Sequence, residues 1–269
     1  MIPDDVRRYA EDPGAFGPDL PPQSGLERIL TDRYCLMLGP VPSFTIVSRL
    51  RLEPSVVAAT VTEVRAHVRE RRHRRATWWV GSSATPADLG ERLRAHGFVP
   101  DDGPGSESHA TSMALVHEPP RAPADVVARR VDSLDEFRLA GSLGAEAFGS
   151  PEEEREEWDA IAEERYAAER AGHAPRCYLA FVDGDPVGTA RAIVADDVPA
   201  VMLIGGAVLP HARGRSVYRA LVRARWDDAA AAGTPALVTQ AGTLSRPILE
   251  RLGFEPVADV EILVDPEPA

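Results

Sequence analysis

Two arginines and a glycine stand in a short segment between an apolar, β-prone run and a run with helical spacing. The segment reads HARGRSVY, with Arg213, Gly214 and Arg215 at its centre, and it follows the run VMLIGGAVL. A strand that enters a helix through such a loop presents unpaired backbone N–H groups and the positive end of the helix dipole. The segment therefore predicts a site for a phosphate-bearing ligand. The helical spacing is carried by Val217, Ala220, Leu221 and Ala224.

The composition limits the kinds of protein that this chain can be. It has 269 residues, 44% of them hydrophobic, and no apolar run long enough for a transmembrane helix. The first residues lack the apolar core of a signal peptide, so we expect a cytoplasmic protein. The net charge of -12 argues against a general nucleic-acid or membrane binder. An acidic surface can attract a cationic amine, or it can simply keep the protein in solution.

The two cysteines, Cys35 and Cys177, lie far apart in apolar runs. This placement favours two buried free thiols over a disulfide. No group of His, Cys, Asp and Glu has the spacing of metal ligands, and no Ser/His/Asp arrangement is supported. We therefore expect no metal.

The first part of the chain reads as an irregular arm followed by alternating strands and helices. The arm, residues 1–24, is rich in Pro, Gly and Asp and has room for a short helix. Ser55 and Thr85 look like N-caps of two helices. The basic run at residues 69–75 is either a phosphate-binding patch or the solvated end of the first helix. The predicted strands are at residues 33–39, 44–52, 76–81 and 108–117.

A proline-rich polar stretch, residues 119–125, separates this part from a longer second part. We interpret residues 25–118 as one domain and residues 126–269 as another. The second part predicts a strand, a helix, and a further helix over SPEEEREEWDAIAEERYAAER, capped by Ser150. A hairpin around an Asp-Gly-Asp turn follows, then VMLIGGAVL, the arginine-containing loop and its helix. Another strand, a helix ending in Gly-Phe and the strand ADVEILV complete the sheet.

The two parts share an internal repeat. The intervals from Pro54 to Gly97 and from Pro210 to Gly253 are both 43 residues, and each ends in Gly-Phe. Aligned in this way, the first part has SVVAATV where the second has HARGRSV. It therefore lacks the glycine and the basic residues that suit a phosphate. The first part is interpreted as a partial, inactive copy.

The second part resembles the GNAT family of acyl-CoA-dependent N-acyltransferases over about residues 126 to 265. The resemblance rests on the element order, on YLAFVDGDPVG, on V-x-P-x-x-R-G-R and on ILERLGF. It implies a mixed, splayed α/β sheet with acyl-CoA inserted between the fourth and fifth strands, and a degenerate partial copy of the same fold in the first part.

The resemblance also implies which residues hold the cofactor and which polarise the reacting carbonyl. The pantetheine would run along the fourth strand, and the pyrophosphate would bind the loop after it. The backbone N–H of Val208 would stabilise the oxyanion. The cofactor-binding residues implied are Ala207, Val208, Leu209, Arg213, Gly214, Arg215, Ser216, Val217 and Tyr218.

The chain departs from the family pattern at three positions. Ser216 and Tyr218 replace small residues of the loop, and Leu249 stands where the family usually has a general-acid tyrosine. Ser245, four residues earlier on the same helix face, is a substitute acid or a structural cap. Gln240 could place substrate or water. His211 and Glu146 are weaker candidates.

These observations predict a cytoplasmic enzyme that transfers acetyl from acetyl-CoA to a primary amine by direct attack in a ternary complex. The amine belongs to a small molecule or to a protein, and the enzyme is a monomer or a homodimer without a nucleic-acid or membrane partner. The competing hypothesis is a non-catalytic acyl-CoA sensor or scaffold, suggested by the departures and by the inactive first copy.

Overall fold

A computed structural model describes residues 1–16, 20, 24–103, 106–194 and 198–267 of the chain. The elements up to residue 118 are α1 (Asp4–Glu11), β1 (Glu27–Leu30), β2 (Cys35–Leu38), β3 (Thr45–Ser48), α2 (Val57–Glu70), β4 (Ala76–Gly81), α3 (Leu89–Ala95), β5 (Val99–Pro100) and β6 (His109–Leu115). Those that follow are β7 (Val126–Arg130), α4 (Leu134–Phe148), α5 (Glu152–Ala160), α6 (Ala162–Arg170), β8 (Arg176–Val182), β9 (Asp185–Ile193), β10 (Val201–Val208), α7 (Val217–Ala231), β11 (Leu237–Ala241), α8 (Arg246–Arg251) and β12 (Glu255–Asp265). No helix of this described part is long and apolar enough to cross a membrane.

All the described strands join one mixed sheet. Its order is β1-β2-β3-β4-β12-β6-β11-β10-β9-β8-β7, with β5 paired to β12 outside this path. The last long strand of each part therefore lies among strands of the other: β6 pairs with β11, and β12 lies between β6 and β4. The expectation that ADVEILV simply closes the second sheet is wrong in this respect. β12 is long enough to pair with β6 along its first residues and with β4 along its last ones.

The helices cover both faces of this sheet. On one face, α7 and α8 bury Leu221 and Leu249 over the strands of the second part, and α2 and α3 bury Val64 and Leu93 over those of the first. Side chains alternate between the faces of a strand, so the neighbours of these buried positions face the other way. On that opposite face, α1 covers β6 and β11, and α4 covers β8 to β10.

The N-terminal arm contains the short helix that the sequence allows. Its first residues form α1, where Val6, Tyr9 and Ala10 are buried against Ala114 and Val238 of the sheet. The hydrophobic residues of this helix all lie on one side, while its acidic first turn faces solvent. Most Pro and Gly residues of the arm follow this helix, at residues 13–22.

Three helix boundaries differ from those that the sequence predicts. Ser55 is not an N-cap, because it lies inside a 3-10 helix, Pro54–Val56, that runs directly into α2. Thr85 bridges Arg51 in the sheet instead of capping a helix, and α3 begins only after Asp88. The helix predicted from Ser150 onward is two helices, α5 and α6, because the chain leaves helical geometry at Ile161.

The basic run at residues 69–75 lies at the C-terminal end of α2, as one of the two interpretations expects. α2 ends at Glu70, and Arg71 pairs with Glu27 and with Glu70 itself. Arg74 pairs with Glu153 and Glu157 of α5. Two of the five arginines of the run are therefore paired within the molecule.

Candidate functional site

The strands β10 and β11 separate just before the predicted phosphate loop. They pair in parallel only from Val201 to Leu203. Beyond this point β10 contains a bulge against β9, and Gly205 at the bulge has a positive φ of 58°. A bulge of this kind bends a strand and increases its twist. The consequence is a gap between the second half of β10 and β11.

The backbone of Val208 points into this gap. Its neighbour Leu209 donates its N–H to Val187 of β9 over 2.9 Å. Because successive residues of an antiparallel strand turn their N–H groups to opposite sides, the N–H of Val208 points away from β9. β11 pairs with no described residue of β10 beyond Leu203, so no strand covers that N–H. The geometry suits the role of an oxyanion donor.

The loop after β10 turns a row of backbone N–H groups outward. A 3-10 helix, Pro210–Ala212, comes first, and α7 begins at Val217. Between them, Gly214 and Ser216 have φ values of 79° and 66°. The N–H groups from residue 214 to residue 219 donate no hydrogen bond to any described residue. The first turn of α7 also contains no acidic residue, so the positive end of its dipole is free for an anion.

Ser216 explains one of the departures from the family pattern. Its backbone adopts the left-handed conformation that normally favours glycine, the residue type expected at this position. The substitution therefore keeps the bend of the loop at a conformational cost of about 1–3 kcal/mol.

The side chains of the loop add positive charge near these N–H groups. Arg213 is exposed, and its Nε donates to the Val208 carbonyl over 3.3 Å. Arg215 pairs with Asp183 of the β8–β9 turn at 3.0 Å, with both side chains exposed. An exposed pair of this kind contributes little, so Arg215 can exchange Asp183 for a phosphate. Arg219, which sequence reasoning missed, has an enclosed Nε without a partner among the described atoms.

Tyr218 does not block the loop with its side chain. The ring turns toward the sheet, where a Cβ built on Gly206 would lie 3.0 Å from its Cε2. Burial raises the pKa of Tyr218, and the nearby Arg225 partly opposes the shift. Arg225 is itself buried, and it donates to the carbonyls of Leu221 and Arg191. Only the backbone of Tyr218 therefore belongs to the loop.

Two of the other candidate side chains are hydrogen-bonded to backbone carbonyls, and two are exposed. The Ser245 hydroxyl donates to the Gly242 carbonyl over 3.3 Å, as a turn residue does. The Gln240 amide donates to the carbonyl of Glu11 at the end of α1 over 3.2 Å. His211 and Glu146 are exposed, and neither forms a side-chain hydrogen bond with a described residue.

Leu249 of α8 is completely buried, in the same core as the buried residues of α7. Within the described ranges no group of three His, Cys, Asp or Glu residues could hold a metal ion.

Sequence reasoning also missed the bulge and the contact of α1 with β11. The Gly205–Gly206 doublet inside a strand was the available signal for the bulge, since glycine within a strand marks such irregularities. No local signal connects Glu11 with Gln240, which are far apart in sequence.

Comparison with known proteins agrees with this geometry. The model of the acetyltransferase (GNAT) family matches residues 142–254, a stretch that contains β10, the loop, α7 and α8. No curated protein matches. The chain thus carries a GNAT acetyltransferase domain in its second part, which supports acyl transfer as the general class of activity.

Solved structures resemble nearly the whole chain. A GCN5-related N-acetyltransferase from Kribbella flavida is 21% identical with a TM-score of 0.65, covering 97% of this chain and 96% of that chain. One from Sphaerobacter thermophilus is 16% identical with a TM-score of 0.59, over 98% and 96%. A tandem GNAT protein from the clavulanic acid biosynthesis pathway is 19% identical with a TM-score of 0.57, over 88% and 79%. These likenesses establish the GNAT fold with its splayed mixed sheet.

Proposed function

We propose that this protein transfers an acetyl group from acetyl-CoA to a primary amine, by direct attack in a ternary complex. One observation carries the proposal. The N–H groups of residues 214–219 are unpaired within the described chain, and they lie beside the gap that exposes Val208. A diphosphate needs several converging donors, and a thioester needs a donor aimed at its carbonyl oxygen.

The loop and the free edge of β10 have separate tasks in this scheme. The N–H groups of the loop, with Arg213 and Arg215, bind the diphosphate. The edge formed by residues 207–209 runs beside the pantetheine, whose amides can pair with it as a strand would. The N–H of Val208 then donates a hydrogen bond to the carbonyl oxygen, where negative charge develops.

Proton transfer in this scheme depends on solvent and on the amine itself. The amine nitrogen bonds to the carbonyl carbon, the carbon–sulfur bond breaks, the nitrogen loses a proton and the thiolate gains one. β10 contains no titratable residue, and Leu249 cannot act as an acid. A thiol with a pKa of about 8.5 leaves without help. We therefore expect the rate to rise with pH until the amine of the acceptor is fully deprotonated.

The first part of the chain is, in this proposal, a degenerate copy that has lost the anion loop. Its 3-10 helix at Pro54 leads straight into α2, without the four residues from 213 to 216 that separate Ala212 from Val217. Its remaining task is structural, since β4 and β6 hold β12 in the shared sheet.

Calorimetric titration with acetyl-CoA tests the proposal. Arg213→Glu should weaken binding by about ten- to a hundredfold, because it replaces a charge-assisted hydrogen bond by a repulsion. Arg69→Glu is the matched control, since Arg69 is an exposed arginine of α2 in the first part, and it should change the affinity by less than about twofold. Failure of acetyl-CoA to bind the wild-type chain would refute the proposal.

A thiol-release assay separates the enzyme from a sensor. The buried Leu249 is the observation that favours a sensor, because it removes the usual acid. An enzyme liberates free CoA from acetyl-CoA when a panel of amines is added. Tight binding without thiol release across the panel would instead support a non-catalytic acyl-CoA-binding protein.

A further inference from the structure

A buried arginine of α7 that the proposed chemistry does not use binds the backbone beside the bulge of β10. Arg225 is only 1% exposed and pairs with no carboxylate of the described chain. Its Nε donates to the Leu221 carbonyl of its own helix over 2.9 Å, and its Nη1 donates to the Arg191 carbonyl of β9 over 3.1 Å. Arg191 stands opposite Ile204, the last residue of β10 before the bulge. Arg225 therefore joins α7 to the strand that pairs with β10 at the bulge.

Tyr218, one of the departures from the family pattern, contacts the bulge from the same side. Residues 205 and 206 of β10 oppose a single residue of β9. A Cβ built on Gly206 would lie 3.0 Å from Cε2 and 3.3 Å from the hydroxyl oxygen of Tyr218. Tyr218 and Arg225 are separated by almost two helical turns, so they lie on one face of α7. Together the two side chains contact β10 within the bulge and β9 beside it.

The first residue of α7 packs closely on the strand partner of Val208. Gly188 of β9 stands opposite Val208. A Cβ built on Gly188 would lie 2.9 Å from Cγ1 of Val217 and 3.1 Å from the carbonyl oxygen of Ala207. A larger residue would displace the helix or the strand, and glycine permits this close approach. The position of α7 is therefore coupled to that of Val208.

A guanidinium in this core is unfavourable unless it does what an apolar side chain cannot. Removing the charge from water has a cost, and burial accordingly lowers the pKa of Arg225. A methionine of similar length would fill the same space without this cost. Arginine supplies in addition the two donors that connect the Leu221 carbonyl of α7 with the Arg191 carbonyl of β9. The connection between the helix and the strand is what distinguishes arginine at this position.

We propose that Arg225 and Tyr218 are positioning residues that fix the bulge of β10 and thereby aim the N–H of Val208 at the thioester. The inference rests on the proposed acetyl transfer and names two further residues on which that reaction depends. Neither side chain contacts acetyl-CoA in this scheme, because the Tyr218 ring lies against Gly206 and Arg225 is buried. An N–H that points away from the oxyanion stabilises it less, while the loop still binds the diphosphate. The two residues should therefore affect the rate of transfer more than the affinity for acetyl-CoA.

Thiol release from acetyl-CoA by the full chain, with the most reactive amine of the panel, tests the effect on rate. Arg225→Met should lower kcat by about tenfold or more and change the dissociation constant of acetyl-CoA by less than about threefold. Arg225→Lys should recover part of the rate, because an ammonium can still donate to the Arg191 carbonyl. Arg223→Met is the matched control on the same helix, since Arg223 binds Glu118 and the Pro119 carbonyl, and kcat should stay within about twofold.

Hydrogen exchange followed by mass spectrometry gives a readout that does not depend on transfer. In the chain without acetyl-CoA, Arg225→Met should accelerate exchange in residues 202–208 by about tenfold and leave β11 unchanged. A general loss of stability would accelerate exchange in both strands. Tyr218→Leu, which keeps an apolar side chain but removes the ring, should give the same pattern. It decides the question if Arg225→Met shows no cooperative thermal transition.

Unchanged kcat together with unchanged exchange in residues 202–208 would overturn the inference. Equal acceleration of exchange in β10 and β11 would also overturn it, because the two side chains would then support only the general stability of the fold. If the wild-type chain binds acetyl-CoA but releases no thiol with any amine, the proposed transfer fails. The exchange experiment still decides in that case whether Arg225 and Tyr218 fix the bulge.

Discussion

The junction between β10 and α7 differs from the corresponding junction between β3 and α2 by a few residues. Each contains a 3-10 helix that begins at a proline, Pro54 in the first part and Pro210 in the second. In the first part α2 follows at once, whereas in the second the residues from 213 to 216 intervene. Those residues contain two positive-φ positions and two arginines.

The difference shows what a helix needs in order to bind an anion. Both helices have a dipole and a first turn without acidic residues. Only α7 is preceded by a loop that spreads its N–H groups outward and supplies guanidinium groups. The candidate site therefore depends on the four residues between Ala212 and Val217 more than on the N-terminus of the helix.

The largest expected effect comes from separating the two parts. Residues 126–269 expressed alone should not fold, because β6, which lies between β11 and β12, would be missing. Its Met113 and Leu115 are completely buried in the core of the second part, and losing each costs about 2–5 kcal/mol. Circular dichroism should show no cooperative thermal transition.

Cleaving the full chain at a protease site placed within residues 119–125 is the control. Both pieces remain present, so the cut protein should keep its cooperative transition. A fragment 126–269 that melts like the full chain would show that β6, although it lies between β11 and β12, is not needed for folding.

Exchanging the two junctions tests the comparison directly. Deleting residues 213–216 gives α7 the direct connection of α2, and it should weaken acetyl-CoA binding by at least about a hundredfold. Calorimetry measures the affinity, and the thermal transition reports whether the variant is folded. Inserting Arg-Gly-Arg-Ser between Val56 and Val57 is the reciprocal control, which should not alter the affinity. A folded deletion variant with unchanged affinity would contradict the assignment of the loop.

A smaller effect is expected where Tyr218 packs on β10. Gly206→Ala places a methyl group 3.0 Å from the Tyr218 ring, which should destabilise the fold by about 1–3 kcal/mol. In the first part the second residue of α2 is Ala58, which is exposed, so Ala58→Gly should cost only about 1 kcal/mol. Urea unfolding measures both variants. In the double variant Gly206→Ala/Tyr218→Ala the two effects should not add, since the residues are in contact.

The smallest effect concerns the two thiols, one in each part of the chain. Cys35 and Cys177 are completely buried, and burial raises the pKa of Cys35 to about 11 and also that of Cys177. Neither thiol should react with a disulfide reagent at neutral pH in the folded protein. Single-cysteine variants should become reactive at the same urea concentration, because both parts share one sheet. Different midpoints would show that the parts unfold separately.

The pH dependence of stability has a definite sign for Cys35. Its folded pKa is raised from 9.0 to about 11, so the folded state holds the proton more tightly than the unfolded state. The contribution is complete below pH 9.0 and is lost as the pH rises toward 11. Cys35→Ala should therefore flatten the fall in stability between these values, as measured by urea unfolding at several pH values.

Local sequence patterns predicted most elements of the second part and the loop that joins two of them. The β8–β9 hairpin, β10 and α7 are confirmed, because turn residues and apolar periodicity are local signals. The exchange of β6 and β12 could not be predicted, since a strand's partner depends on contacts far along the chain. The same holds for α1, whose packing on β11 has no local signature.

Within the candidate site, residue types predicted the anion-binding loop. They did not predict the conformation or the contacts of the other candidate residues. The positive φ of Ser216 and the burial of the Tyr218 ring depend on the surrounding packing. Whether the domain boundaries at residues 25–118 and 126–269 describe folding units stays a prediction, and the fragment experiment tests it.

The position of β12 between β4 and β6 also determines when the sheet can be completed during synthesis. β4 and β6 are synthesised before β12, which lies between them in the sheet and is the last of the described strands along the chain. At about 5–20 residues per second, the first part waits on the order of ten seconds for this strand. During that time the edges of β4 and β6 are open to pairing with other chains. The synthesis of β12, and not that of β4 and β6, therefore completes this part of the sheet.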